Sequence, residues 1–274
     1  MPISSLVAIL AGVFGLLIGS FLNVVIWRVP RGESLNFPAS HCPHCDHAIR
    51  PLDNIPVISW IVLRGKCRDC GAPVTPRYLL VELGTGLFFA AVAFWVFTAP
   101  QAPTSVVALI LTLVAYLYLA AISVALAFID LETHRLPNVL VLPGYIVGLA
   151  LLTASCFFTG DFGPLVVAAI AGAVLFTVYF VMALVYPGGM GLGDVKLAGV
   201  LGLFLGWQGW GEVAVGAFAP FVLGGIFSLV LILTKRAGRK SGIPFGPWML
   251  IGAWVGIFVG RELSGWYLGL FGLV

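Results

Sequence analysis

The sequence predicts an all-α membrane protein: a polytopic helix bundle of about eight transmembrane helices, with one small polar module between the first and the second. Three observations predict it. Hydrophobic residues make up 61% of the chain and charged ones 9%, with a mean hydropathy of +1.10, whereas soluble domains carry about 25% charged residues. Apolar runs recur at lengths close to the roughly 20 residues that a helix needs to cross hydrocarbon. Basic residues fall almost entirely into two of the intervening segments. In 274 residues this leaves no room for a large soluble domain, and a formal charge of +3 is too small to suggest nucleic acid as a partner.

Taken in order, the spans cover about residues 3–27, 78–98, 104–129, 139–158, 164–186, 195–210, 213–234 and 245–259. The first has no basic residue ahead of it, since Arg28 is the first, and its apolar stretch exceeds a signal-peptide core. It therefore reads as a retained anchor. The sixth is short, and the eighth has room to run on through Arg261 and Glu262. Three regions follow: the first helix over 1–27, a polar module over 28–77, and a membrane-embedded remainder over 78–274.

Basic residues orient the stack. Arg28, Arg31, Arg50, Arg64, Lys66, Arg68 and Arg77 lie between spans one and two, and Lys235, Arg236, Arg239 and Lys240 between spans seven and eight. The segments around Pro100 and Asp161 contain none. The positive-inside rule then places both basic segments in the cytoplasm and both termini outside. With eight spans, the same parity puts Asp130 and Asp194 on the cytoplasmic side as well.

The module carries Cys42-Pro43-His44-Cys45 and Cys67-Arg68-Asp69-Cys70, two CxxC pairs with 21 residues between them. Four thiolates at this spacing suit tetrahedral Zn²⁺, which adds folding energy to a segment too short for its own core. A reducing compartment argues against disulfides. A closed four-sulfur site has no open position for water, so the metal is structural. His41, His44 and His47 read as solvated, and Cys156, alone in span four, as a packed apolar thiol.

Two acids stand beside the hydrocarbon. Asp130 opens Asp130-Leu131-Glu132-Thr133-His134-Arg135-Leu136-Pro137-Asn138, and Asp194 closes Gly188-Gly189-Met190-Gly191-Leu192-Gly193-Asp194. Each has a bland reading: Asp130 as a helix-end residue reaching the interface, Asp194 as a helix cap. Against these stand their shared face and the glycines before Asp194, which let an extended backbone approach. Two carboxyls at one site can divide a proton and activate water against a peptide carbonyl, which is the chemistry of an intramembrane aspartyl protease. A transporter or channel, with the acids binding a cation or relaying protons, is the alternative from another class. Lys196, two residues past Asp194, points to another helix face. Glu82, one turn inside span two, lines a polar cavity or reaches the headgroups. Ser20 and Asn23 read as interhelical hydrogen-bonding residues.

At this point the chain resembles the type IV prepilin peptidases, nearly end to end. The resemblance is carried by Gly19-Ser20-Phe21-Leu22-Asn23-Val24-Val25-Ile26 with Arg28 and Pro30, by both CxxC pairs, and by Asn54-Ile55-Pro56 with Ser59-Trp60. It continues through Arg64-Gly65-Lys66-Cys67, Arg77-Tyr78 with Glu82, Asp130 with Leu136-Pro137-Asn138, Gly191-Leu192-Gly193-Asp194-Val195-Lys196-Leu197 and Ile243-Pro244-Phe245-Gly246-Pro247. GxGD by itself is shared with presenilin-like proteases, whereas its combination with the cysteine module is specific. The resemblance implies a bacterial inner-membrane enzyme that cuts a short basic leader, after a glycine, from type IV prepilins or secretion-system pseudopilins. It also implies N-methylation of the new N-terminal residue, with S-adenosylmethionine as methyl donor. Carried over residue by residue, it makes Asp130 and Asp194 the catalytic pair and Cys42, Cys45, Cys67 and Cys70 the zinc ligands. It puts the methyl-transfer function at Gly65, with Glu82 as a second candidate there, and implies no oligomeric state.

Overall fold

The computed structural model describes residues 2–186, 190–234 and 244–272. Among them are eight long helices: α1 (Ile3–Arg28), α3 (Arg77–Thr98), α4 (Val106–Thr133), α5 (Asn138–Thr159), α6 (Gly163–Val185), α7 (Leu192–Gln208), α8 (Trp210–Leu233) and α9 (Gly246–Gly269), with the short α2 (Ile58–Val62) in the polar module. Six of the long helices, all but α7 and α9, are long and apolar enough to cross a membrane. Lys235, Arg236, Arg239, Lys240, Ile243, Gly188 and Gly189 lie outside the described residues.

The helix ends sit where the backbone chemistry changes. α4 does not stop with its apolar run at Ile129, because Leu131, Glu132 and Thr133 are compatible with helix. It ends at His134, left-handed at φ 53°, whose N–H closes on the Asp130 carbonyl at 2.9 Å. Asp130 is therefore inside the last turn rather than beyond it. Pro137 then precedes α5, and Pro164 and Pro247 occupy the first turns of α6 and α9, where a missing N–H costs nothing. α7 begins at Leu192, earlier than the apolar run suggests, so Asp194 lies in its first turn. Gly209, at φ 143°, separates α7 from α8, and Trp210 belongs to α8. α9 runs on through Arg261 and Glu262 to Gly269.

The chain forms two compact units, residues 1–100 with 117–125, and residues 101–116 with 126–274. In the first, α1 lies along α3 on a seam of small residues. A Cβ on Gly15 would come 2.8 Å from the Phe89 Cβ, and one on Gly19 would come 2.7 Å from the Glu82 Cα. Gly15 and Gly19 form a GxxxG pair, which brings two helix backbones together where lipid gives no hydrophobic push. Asn23, one turn further on, donates from Nδ2 to the Tyr78 carbonyl at 3.2 Å, an interhelical bond of the kind its position suggested.

In the second unit α7 is the axial helix, packed by α5, α6, α8 and α9. Every residue from Leu197 to Gly206 is buried. Its glycines are the reason: a Cβ on Gly202 would come 2.7 Å from the Ala171 carbonyl oxygen of α6. A helix wrapped by protein on all sides needs neither the length nor the apolar surface of a lipid-facing span. That explains why the sixth apolar run is short.

Candidate active site

The second unit brings together three helix ends: the C-terminus of α4 and the N-termini of α7 and α9. Asp130 is buried at 5% exposure, and its Oδ2 accepts the Gly246 N–H at 3.1 Å. Gly246 is the first residue of α9, so a carboxyl of α4 occupies a helix N-terminus with its unpaired N–H groups and positive dipole. Asp194 is half-buried at the third position of α7. It reaches back so that its Oδ2 accepts the Gly191 N–H at 3.0 Å, while its own N–H donates to the Gly191 carbonyl at 3.1 Å. This is half of a capping box, since glycine has no side chain to complete it. Asp194 is thus not the N-cap residue, which is Gly191; its carboxyl caps the helix from the third position instead, and this accounts for one of its two oxygens.

Leu136 lies against Gly193, the neighbour of Asp194, and against Gly246, the partner of Asp130. A Cβ built on Gly193, next to Asp194, would lie 3.0 Å from the Leu136 Cβ. One built on Gly246 would lie 3.3 Å from the Leu136 Cδ2 and 2.6 Å from the Asp130 Oδ2. Lys196, which the sequence set on another face of α7, donates from Nζ to the Asn138 Oδ1 at 3.0 Å, and Tyr145 donates from its hydroxyl to the Lys196 carbonyl at 2.7 Å. These bonds fasten the start of α7 to α5 beside the acids. Gly246 and Leu136 carried no role in the sequence reading, although both fall inside the quoted motifs. Their function depends on a contact across more than a hundred residues of chain.

In the first unit the four cysteines converge. The Sγ atoms of Cys42, Cys45, Cys67 and Cys70 all lie within 4.8 Å of one another, with Cys42–Cys70 at 3.8 Å and Cys45–Cys67 at 4.0 Å. A tetrahedral ion with metal–sulfur bonds of about 2.3 Å sets sulfurs about 3.8 Å apart, so the donor set fits a metal such as Zn²⁺. The two knuckles share one backbone design. Cys42 N–H donates to the His47 carbonyl at 3.0 Å and Asp46 N–H to the Cys42 carbonyl at 2.9 Å; the corresponding bonds are Cys67 to Ala72 at 2.8 Å and Gly71 to Cys67 at 3.0 Å. Asp46 (φ 55°) and Gly71 (φ 72°) take the same left-handed position. The His44 backbone N–H lowers the Cys42 thiol to about 7 against the effect of burial, whereas at Cys45 the lowering by the His47 backbone N–H is outweighed by burial and the neighbouring sulfurs, which push that thiol up to about 12. His41, His44 and His47 are exposed outside the cluster, and Cys156 is fully buried. The guanidinium of Arg68 grips the Asp53 carboxylate at 2.6 to 3.0 Å and holds it below its ordinary range.

Gly65 and Glu82 both bear on this module. Gly65 is left-handed at φ 65°, and a Cβ there would come 2.8 Å from the Trp60 ring, so the position excludes a side chain on two counts. Glu82 is buried at 9% exposure on α3, and its Oε2 accepts the Val57 N–H at 2.7 Å. Val57 sits at φ 65°, ψ −50°, with the Ile58 N–H donating to the Pro56 carbonyl at 2.6 Å. That is a positive-φ γ-turn, rare and strained for a β-branched residue.

A helical membrane protein with two carboxyls on adjoining helix ends and a four-thiol metal site belongs, by these parts, with the polytopic aspartyl peptidases. Comparison with known proteins makes the assignment specific: the profile of the Bacterial Peptidase A24 N-terminal domain matches residues 13–97, and that of the Type IV leader peptidase family matches residues 117–234. Proteins named prepilin leader peptidase/N-methyltransferase are similar throughout. That of Aeromonas hydrophila is 38% identical, covering 93% of this chain and 91% of its own. Those of Stutzerimonas stutzeri (36%, covering 93% and 92%) and Pseudomonas aeruginosa (33%, covering 93% and 91%) are similar as well. The chain belongs to the type IV leader peptidase family. No solved structure matches it.

Proposed function

We propose that Asp130 and Asp194 are the catalytic pair of a multi-pass inner-membrane prepilin leader peptidase, which also N-methylates the residue that cleavage exposes. The observation that carries this reading is the seating of Asp130 on the N-terminus of α9, with Asp194 in the first turn of α7 and Leu136 against the glycines Gly193 and Gly246 beside them. The substrate's apolar helix enters among the spans and leaves its cleavage site extended at the interface. One carboxylate takes a proton from water, the other, protonated, donates to the scissile carbonyl, and the two titrate as a coupled pair. Family membership weighs against a presenilin-like protease and against a transporter.

The four cysteines hold a structural zinc, which completes residues 28–77 as a module between the first helix (1–27) and the membrane-embedded peptidase region (78–274). Gly65 and Glu82 belong to the methyl-transfer function. S-adenosylmethionine supplies the methyl group there, and the chain's part is to hold the molecules that exchange it. The asymmetry of basic residues supports a cytoplasmic position for the module and both acids.

The test is a mass spectrum of a prepilin co-expressed with this protein, in which leader removal and a methyl group are separate mass shifts. An intact prepilin would overturn the peptidase reading; a cleaved, unmethylated one would overturn only the second activity. Thiol labelling should place engineered cysteines near Asp53 and Thr133 inside, and ones near Gln101 and Asp161 outside.

A further inference from the structure

The side chain of Asn23 is 3% exposed, and its two polar atoms fare differently. Nδ2 is spent on the Tyr78 carbonyl at 3.2 Å, whereas Oδ1 is buried with no hydrogen-bond partner. Turning the amide over would set oxygen against the Tyr78 carbonyl oxygen, so the orientation is fixed by its neighbour. A buried acceptor left in this state keeps an uncompensated desolvation cost, and none of the described residues supplies its partner.

Glu82 lies one turn along α3 from Tyr78, on the face that α1 approaches through Gly19, one turn before Asn23. Among the described residues its carboxyl accepts one hydrogen bond, from Val57, although a carboxylate has room for about four. The chain thus sets a buried amide oxygen on α1 and an under-filled carboxylate on α3, on the faces through which the two helices pack, and among the described residues no lysine or arginine bonds to either; the guanidinium of Arg77 lies over the Trp27 and Tyr78 rings, at 5.9 and 5.5 Å. Two acceptors, one of them charged, define the complementary ligand: a group with several N–H donors and a positive charge.

We infer that Asn23 and Glu82 form an acceptor site for a primary ammonium group. The site adjoins the strained Pro56-Val57 turn, and the Val57 N–H bonded to Glu82 holds the carboxylate in place from the module side. The inference rests on the methyl-transfer reading only for the source of the ligand. Under that reading two molecules bear such a group, the peptide freed at its N-terminus by cleavage and the amino-acid end of the methyl donor. The site needs one of them.

The experiment measures binding to the full-length protein in lipid nanodiscs with two pairs of probes. One pair is a phenylalanine-initiated peptide and its N-acetylated form. The other is S-adenosylhomocysteine and 5′-methylthioadenosine, which lacks the amino-acid end. The wild type should favour the amine-bearing member of one pair by about tenfold or more, as a charge-assisted contact implies. That pair names the source. Glu82→Gln keeps an acceptor for Val57 but removes the charge, and Asn23→Leu removes the amide oxygen at similar size. Each should erase the preference while metal content stays at the wild-type level. Absence of any preference in the wild type, or its survival in both variants, would overturn the site. A preference that is present and erased by the variants, in a protein that leaves its product unmethylated, would support the site and remove the methyl-transfer reading instead.

Discussion

At its N-terminal end α7 carries Asp194, half-buried, with one backbone donor on one oxygen; at its C-terminal end it carries Gln208, buried and bonded at both polar atoms. The Gln208 Nε2 donates to the Tyr116 hydroxyl at 2.6 Å, that hydroxyl donates to the Phe204 carbonyl at 2.8 Å, and the Gln101 Nε2 donates to the Gln208 Oε1 at 2.5 Å. Just beyond, Glu212 is buried at 4% exposure and faces Arg261 at 3.4 Å. One end leaves lone pairs uncommitted beside a second acid, while the other closes its polar groups on one another. A saturated network fixes position and has nothing left to give a substrate. Burial of a polar group near a membrane does not by itself mark chemistry; what marks it is the hydrogen-bonding capacity left over.

The strongest way to break this contrast is at the acids. Asp130→Asn and Asp194→Asn keep shape and remove the titratable proton, so each should lower leader cleavage by about 10³-fold or more. Metal content and membrane insertion should match the wild type. Substantial cleavage by either variant in a peptide assay would end the pairing argument. A smaller loss is expected from Gly246→Ala, whose Cβ meets the Asp130 Oδ2 and the Leu136 Cδ2. The carboxyl must move, and a displacement approaching 1 Å costs about 10²-fold in rate. Wild-type turnover in that variant would show that the seat on α9 is incidental.

How much of this could be read in the chain alone differs by region. The cysteine module was legible because its ligands are local pairs, and the apolar runs gave eight helices because hydrocarbon thickness sets their length. The acid motifs were visible, but the donor that seats Asp130 lies in α9, and no local pattern joins the two. The eighth run was undersized because Arg261 and Glu262 interrupt it. In the fold Arg261 turns toward Glu212, so the helix continues past the charges. Glu82 was ambiguous because its partner is the backbone N–H of Val57, which composition cannot show.

The module supplies a control lying outside α7. With Cys42→Ser and Cys67→Ser together, two of four thiolates are gone. The protein should lose a tightly held zinc, about one per chain by elemental analysis, and residues 28–77 should become protease-sensitive. Metal-free protein prepared without chelator from the wild-type chain would contradict the zinc assignment.

The smallest effects belong to the locked end, and their order tests the account of it. Tyr116→Phe keeps the ring contacts with Phe204, at 5.5 Å, and Trp254, at 6.4 Å, and the Phe204 carbonyl keeps its helical partner. The Gln208 Nε2 is left as a buried donor without its acceptor, which costs about 1–3 kcal/mol. Gln208→Leu removes that donor as well. The Tyr116 hydroxyl still donates to the Phe204 carbonyl, and Gln101, which is exposed, turns to water. Each variant deletes two of these hydrogen bonds, yet Gln208→Leu, which leaves no buried donor behind, should lose less stability, about 1 kcal/mol or under. Denaturant unfolding in mixed micelles measures the difference, and cleavage per folded molecule should be unchanged in both. If Gln208→Leu proves as destabilising as Tyr116→Phe, or more so, the network is a sum of separate bonds. If either variant slows cleavage, the far end of α7 is coupled to the acids and the contrast between its two ends fails.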